Sequence, residues 1–349
     1  MAENGQERDL ASLRVPRVGG LRATEELFEP YRLVDAGGAT VWPVAEYLKD
    51  LQACGRSAAT QRSYGMDLLR WFRFLWAAGC PWGEATRVEA RDFSRFIQLS
   101  AKPPRHVRGS RDGAAAAGGP AWGGRYAAAT VAHSETVLRR FYAFHLEAGS
   151  GPMVNPFPSA RGRRAQAHHN PMEPFRDERA GLFRPKVPVR VPRQIPDEVF
   201  NELFAKLRSD RDRALVAFWI SAGARASELL GVLCGGADPG QQLVTVIRKG
   251  SRALQAVPAS PDAFVWLRLY QQQMHGLVPA GADDPVWWTL RRPFRQLGYH
   301  AARAMFARAN AALGAHHTLH QLRHSAAYRM ARDPQMPITD VSGSWAMLI

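Results

Sequence analysis

Two stretches decide how this chain folds: AGARASELLGVL at 222–233 and HQLRHSAAYRMA at 320–331. In the first, Arg225 opens a helix, where unpaired backbone N–H groups favour an anion. In the second, the spacing predicts one helix over LHQLRHSAAYRMAR. His320 and Arg323 are i and i+3 on it and share a face, with His324 one turn from His320. Between the two, LVTVI and ALQAV flank the turn Lys249-Gly250-Ser251, which reads as a β-hairpin. Two guanidiniums, an ammonium and an imidazole on one point suit a phosphodiester under substitution. Arginines clamp the non-bridging oxygens and stay charged, a lysine protonates a departing alkoxide, and a histidine relays protons near neutral pH.

Working outward, helical patterns fill the rest of this half. DEVFNELFAKL follows Pro196, RDRALVAFWISAG is apolar enough to be buried, and PDAFVWLRLYQQQ and YHAARAMFARANAAL come later. Upstream, residues 150–192 hold NPFP, RGRR and RPKVPVRVPR. They read as a basic, proline-stiffened linker, suited either to lie along a DNA backbone or simply to be solvated. Before it, VWPVAEYLKDLQACG, SAATQRSYGMDLLRWFRFLWAAG, ARDFSRFIQLSA and AAATVAHSETVLRRFYAFHLEAG give four helices, the second capped by Ser57 or Thr60. Trp71, Phe72 and Trp76 read as core. Arg62, Arg70 and Arg73, on the opposite side, are candidates for DNA-backbone contacts. Residues 103–125 read as a Gly- and Arg-bearing loop, and residues 1–40 as an irregular arm.

The expected organisation is thus an arm at 1–40, a helical domain at 41–149, the linker at 150–192 and a second domain at 193–349. The fold class is mainly α with a small β-hairpin or sheet. The chain has 349 residues, 46% of them hydrophobic, so each domain can bury a core. Lysine and arginine number 46 against 31 acidic residues, a net charge of +15. A polyanionic partner accounts for that excess, as does an arginine-favouring genome. Three scattered cysteines, Cys54, Cys80 and Cys234, fit reduced thiols in a cytoplasm. The expectation is no signal peptide, no membrane span, no metal and no cofactor. His316, His317, His320 and His324 lack the Cys or Asp that would complete a ligand set.

AGARASELLGVL, a lysine-bearing β-turn and HQLRHSAAYRMA, in this order, resemble the tyrosine recombinases, the phage-integrase-like site-specific recombinases. LRRFYAFHLEAGSGPMVNPF resembles the end of that family's helical core-binding domain, and VWWTLRRPFRQLGYHAARAMFARAN also looks like such integrases. The resemblance runs from about Val41 to Val341. It implies Arg225, Lys249, His320 and Arg323 as the catalytic set, Glu228 as support for Arg225, and His324 as the second histidine of the motif. It implies double-stranded DNA at a recombination site as partner, homo-oligomers on DNA, and a bacterial, nucleoid-associated, cytoplasmic setting. In the family a tyrosine then attacks the phosphate and forms a 3′-phosphotyrosyl link.

After Arg323 this chain keeps the pattern through MPITDV and then reads SGSWAMLI. Neither Leu-Gly-His nor a later tyrosine follows, as after a frameshift or truncation. Trp345 is a weak candidate for the family's His/Trp position. Tyr328 and Tyr299 read as ordinary helix aromatics, so no nucleophile is identified, cleavage is expected to be deficient and tetramer assembly is in doubt. The alternatives are a non-catalytic protein that occupies recombination sites and a generic basic helical regulator.

Overall fold

The computed structural model describes residues 8–10, 12–100, 124–160, 181–188 and 194–333. Contacts divide the chain into two compact units, Met1–Val189 and Arg190–Ile349.

The first unit is built on α1 (Trp42–Ala53), α2 (Ala58–Ala78), α3 (Arg87–Leu99) and α4 (Ala128–Glu147). Ser57 caps α2 by accepting from the Thr60 N–H at 3.3 Å, and Gly79 ends it in the left-handed region at φ 64°. Thr86 and Glu89 form a capping box that starts α3 three residues before the apolar pattern does. The apolar faces of the four helices close on Leu68, Trp71, Phe74, Leu138 and Phe141, all fully buried. Trp71 Nε1 donates to the Tyr142 hydroxyl at 2.9 Å, so the buried indole N–H is satisfied.

Two expectations change here. Residues 1–40 are not wholly irregular: β1 (Gly20–Ala23) and β2 (Tyr31–Val34) pair antiparallel, with Leu21 opposite Leu33. Leu33 is fully buried in the helical core. The hairpin closes tightly against α2 because Gly19 has φ 65°, and a Cβ there would lie 2.5 Å from the Val34 carbonyl of β2 and 2.9 Å from the Trp76 ring of α2. The four-residue strands are too short to show their alternation in the sequence. The expected linker also begins later than Gly149. Asn155 Nδ2 donates to the Arg139 carbonyl at 2.9 Å, and Phe157, 1% exposed, packs edge-on against Trp71. Asn155, Pro156 and Phe157 therefore belong to the first unit's packing, while 161–180 and 189–193 lie outside the described residues. So does nearly all of the 103–125 loop.

The second unit follows the sequence pattern closely. Its helices are α5 (Asp197–Ala205), α6 (Asp210–Ala222), α7 (Ala226–Leu230), α8 (Pro261–Met274), α9 (Tyr299–Ala311) and α10 (Leu319–Arg332). A three-stranded antiparallel sheet runs β3 (Ala237–Asp238), β4 (Leu243–Ile247), β5 (Leu254–Pro258). α6 is the central element, with Leu215, Val216, Phe218 and Trp219 all buried. Phe218 meets Phe264 of α8 edge-on at 5.0 Å, and α10 packs on α6 through its buried side. Among the described residues no helix is long and apolar enough to cross a membrane.

Candidate phosphate site

The site is assembled by three chain reversals in the second unit. The first is the α6–α7 junction. Gly223 takes φ 60°, which stops α6 sharply, and Ala224 is buried. Arg225 then becomes the residue that starts α7, in extended backbone. The second is the β4–β5 turn, closed by Arg248 N–H to the Ala253 carbonyl at 2.9 Å and Arg252 N–H to the Arg248 carbonyl at 3.0 Å. It carries Lys249 at its tip. The third is the start of α10, where Thr318 and Gln321 form a capping box, and His320 and Arg323 follow within the first turns.

Glu228 ties these pieces together. Its side chain is 1% exposed. It accepts from the Arg225 N–H at 3.0 Å, Arg225 Nη1 at 2.9 Å, Arg248 Nη1 at 3.1 Å and the Lys249 N–H at 3.0 Å. Arg323 Nη1 lies 3.9 Å from the same carboxylate and donates to the Gly223 carbonyl at 2.8 Å. Burial alone pushes the Glu228 carboxyl up. The Lys249 and Arg225 N–H groups and the Arg225 guanidinium outweigh it and hold the carboxyl at about 2. Burial, together with Arg225 and Arg248, brings Arg323 down to about 10, so it keeps its charge at neutral pH.

This geometry corrects one expectation about Arg225. The N–H at the start of its helix is not waiting for an external anion; the chain's own Glu228 already occupies it. The cluster carries a surplus of positive charge, because three guanidiniums share one carboxylate, and Arg225, with 29% of its side chain exposed, is the most open of the three.

Arg225, Glu228, Arg323 and the Lys249 main chain are thus brought together. The Lys249 side chain is exposed at the turn. His320 is exposed on the first turn of α10, and its ring packs edge-on against His324, with centroids 4.4 Å apart. Burial, His320 and Arg323 lower the His324 pKa, so His324 is neutral near pH 7. Tyr328 lies five residues beyond Arg323, about 140° around α10 from it, and is exposed beneath the Arg332 guanidinium at 4.1 Å. Trp345 lies outside the described residues. No group of three His, Cys, Asp or Glu that could hold a metal occurs among the described residues.

The other arginine candidates lie in the first unit and differ from one another. Arg62 is exposed on α2. Arg70 pairs with buried Asp67 and covers the Tyr126 ring at 5.3 Å. Arg73 is half-buried and donates to the Val18 and Gly19 carbonyls at 2.7 and 3.0 Å, which fastens the β1–β2 hairpin instead of leaving its head for a ligand. Sequence reasoning missed Arg248 and its partner Gln255, whose Oε1 accepts from Arg248 Nε at 2.5 Å. The available signal was a second cation directly before Lys249 at the end of a strand.

Comparison with known proteins agrees with the fold. Residues 194–343 match the model described as phage integrase family, and residues 44–103 match the phage integrase N-terminal SAM-like domain. The tyrosine recombinase XerC of Xylella fastidiosa (strain 9a5c) is 36% identical over 156 residues, 42% of this chain and 49% of that protein. The tyrosine recombinase XerD of Proteus mirabilis is 30% identical over 132 residues, 36% of this chain and 42% of its own. The chain thus spans about half the length of the curated relatives it matches. A lambda integrase (75–356) dimer bound to a COC′ core site superposes with TM-score 0.58 at 14% identity, covering 87% of this chain and 93% of that one. The Tn1549 transposon integrase in complex with circular intermediate DNA gives 0.55 at 12%, covering 86% and 91%. With both of its units matched in order, and with XerC- and XerD-like relatives across part of it, this chain belongs to the phage integrase family of tyrosine recombinases.

Proposed function

We propose that this protein acts on double-stranded DNA as a site-specific recombinase, and that Arg225, Lys249, His320 and Arg323 surround one phosphodiester. The observation that carries this reading is the shared carboxylate. Glu228 draws the start of α7, the β4–β5 turn and Arg323 to one place, and leaves their positive charge in excess. In the reaction a hydroxyl oxygen bonds to phosphorus and the 5′ oxygen departs. Arg225 and Arg323 hold the non-bridging oxygens, where charge gathers. Lys249 gives its proton to the departing oxygen, and His320 takes the proton of the attacking hydroxyl. One phosphodiester replaces another, so the exchange needs no nucleotide energy source. Glu228 and His324 hold the arginine and the first histidine in place. The protein works in the cytoplasm, at the bacterial nucleoid, and assembles with further copies on DNA.

The attacking tyrosine is the open part of the machinery. Tyr328 faces away from Arg323 around α10, so we assign it no chemical role. The second reading is favoured by that placement: a protein that occupies recombination sites and holds a scissile phosphate without cutting it. A nicked suicide duplex separates the two. A covalent protein–DNA adduct formed by this polypeptide alone establishes cleavage and maps the nucleophile; binding without an adduct establishes the second reading. Affinity that does not fall as salt rises defeats both.

A further inference from the structure

Arg248 belongs to none of the roles assigned above, yet its side chain bonds to two different elements at the edge of the site, Glu228 of α7 and Gln255 of β5. Its guanidinium is used on two edges. Nη1 donates to Glu228 Oε2 at 3.1 Å and Nε to Gln255 Oε1 at 2.5 Å. Gln255 is on β5, opposite Val246 of β4, so this second bond crosses the hairpin. Its main chain closes the turn through the bonds to Ala253 and from Arg252. The side chain is 11% exposed, which places it under the turn and not on its outer surface.

We propose that Arg248 is a positioning residue for Lys249: it pins the β4–β5 turn to Glu228, and so fixes the lysine relative to Arg225 and Arg323. The proposal rests on the phosphate reading of the site. Two bonds join the turn to Glu228, one from the Lys249 N–H and one from the Arg248 guanidinium. A main-chain N–H on a tight turn makes a weak single tether, since the turn can rotate about it. A second bond from the adjacent side chain, itself braced across the strands, removes that rotation. The planar guanidinium is required because it serves two acceptors in fixed directions, whereas an ammonium is a point donor. Arg248 also adds positive charge beside Arg323 without facing solvent. Its role is therefore to hold the site together, and it does not touch the scissile phosphate.

Hydrogen exchange at single amides, measured on the full chain, tests this directly. In the parent the Lys249 amide is protected by Glu228. In Arg248→Met its exchange should rise about tenfold or more, while the β4–β5 ladder amides keep their protection; Arg248→Lys should fall between the two. A Lys249 amide equally slow in Arg248→Met overturns the proposal. Loss of protection along the whole ladder also overturns it, because Arg248 would then merely support the sheet. Reductive methylation of Lys249, with and without a mixed-sequence duplex, adds the link to function. The duplex should shield Lys249 in the parent and shield it several-fold less in Arg248→Met. Equal shielding in the two proteins refutes the positioning role. If the duplex fails to shield Lys249 even in the parent, the phosphate reading falls, while the amide result still decides whether Arg248 holds the turn.

Discussion

Glu228→Gln is the most informative single change. It keeps the shape of the side chain and removes its charge from the middle of three guanidiniums. The Glu228 carboxyl sits at about 2 against an ordinary value of 4.5. That gap is about 2.5 pH units at about 1.4 kcal/mol each, so ionised Glu228 contributes about 3 kcal/mol at neutral pH. The amide stands in for the neutral acid, and the variant should lose that amount. A second route gives the same size. Removing one partner from a buried charge cluster costs about 3–5 kcal/mol, and Arg225, with 29% of its side chain exposed, recovers some hydration. For a unit of this size the melting temperature of the second unit should drop by roughly 6–12 °C. The sign with pH is fixed as well. A depressed carboxylate stabilises the fold above pH 4.5 and loses that contribution as pH falls toward 2. Parent and variant should therefore differ fully at pH 7 and converge in acid. Urea denaturation at several pH values checks both statements. A difference below about 1 kcal/mol at pH 7, or one that does not shrink between pH 4.5 and 2, refutes the account of Glu228 as the tie of the site.

Arg225→Ala and Arg323→Ala should each weaken duplex binding and reduce the slope of log affinity against log salt by about 1, measured by fluorescence anisotropy across a salt series. Phe157→Ala should destabilise the first unit by about 3–5 kcal/mol in denaturant titrations, because the ring is 1% exposed against Trp71; a surface-like loss under 1 kcal/mol would return residues 155–157 to the linker. His145 is buried, its pKa lowered by burial, with Nε2 on the Pro43 carbonyl at 3.0 Å and Nδ1 on Ser150 at 2.9 Å. Its neutral form is the folded one, so the first unit should lose stability as pH falls below 6.5. His145→Gln should flatten that dependence in pH-resolved melting. Arg73→Met should loosen the β1–β2 hairpin, seen as faster amide exchange at Leu21 and Leu33, while the α2 amides stay protected.

Helices were the legible part of this fold. The 3.6-residue periodicity located α1, α2 and α4, because each buries one apolar stripe that the sequence displays directly, and α6 was legible from a nearly continuous apolar run, because it is buried almost all round. The β4–β5 hairpin was legible from its turn and its β-branched flanks. The β1–β2 hairpin was not. It owes its place to Leu33 sinking into the helical core and to a glycine that lets two backbones meet, and neither is a local pattern. Phe157 was hidden for the same reason: NPFP looks like linker until the groove that takes the ring exists.

By itself the sequence nominated the candidates for the proposed site: Arg225, Glu228, Lys249, His320, Arg323 and His324 stand in motifs whose order and spacing require no coordinates. Helical geometry alone put His320 and Arg323 on one face and turned Tyr328 away. Only the tertiary structure decided how these residues are joined. One buried carboxylate, Glu228, receives bonds from residues at positions 225, 248 and 249 and lies beside Arg323. Such a meeting depends on α6, α10 and the hairpin packing around one core. Charge that is solvated in the unfolded chain acquires its low pKa and its geometric hold only when that packing excludes water.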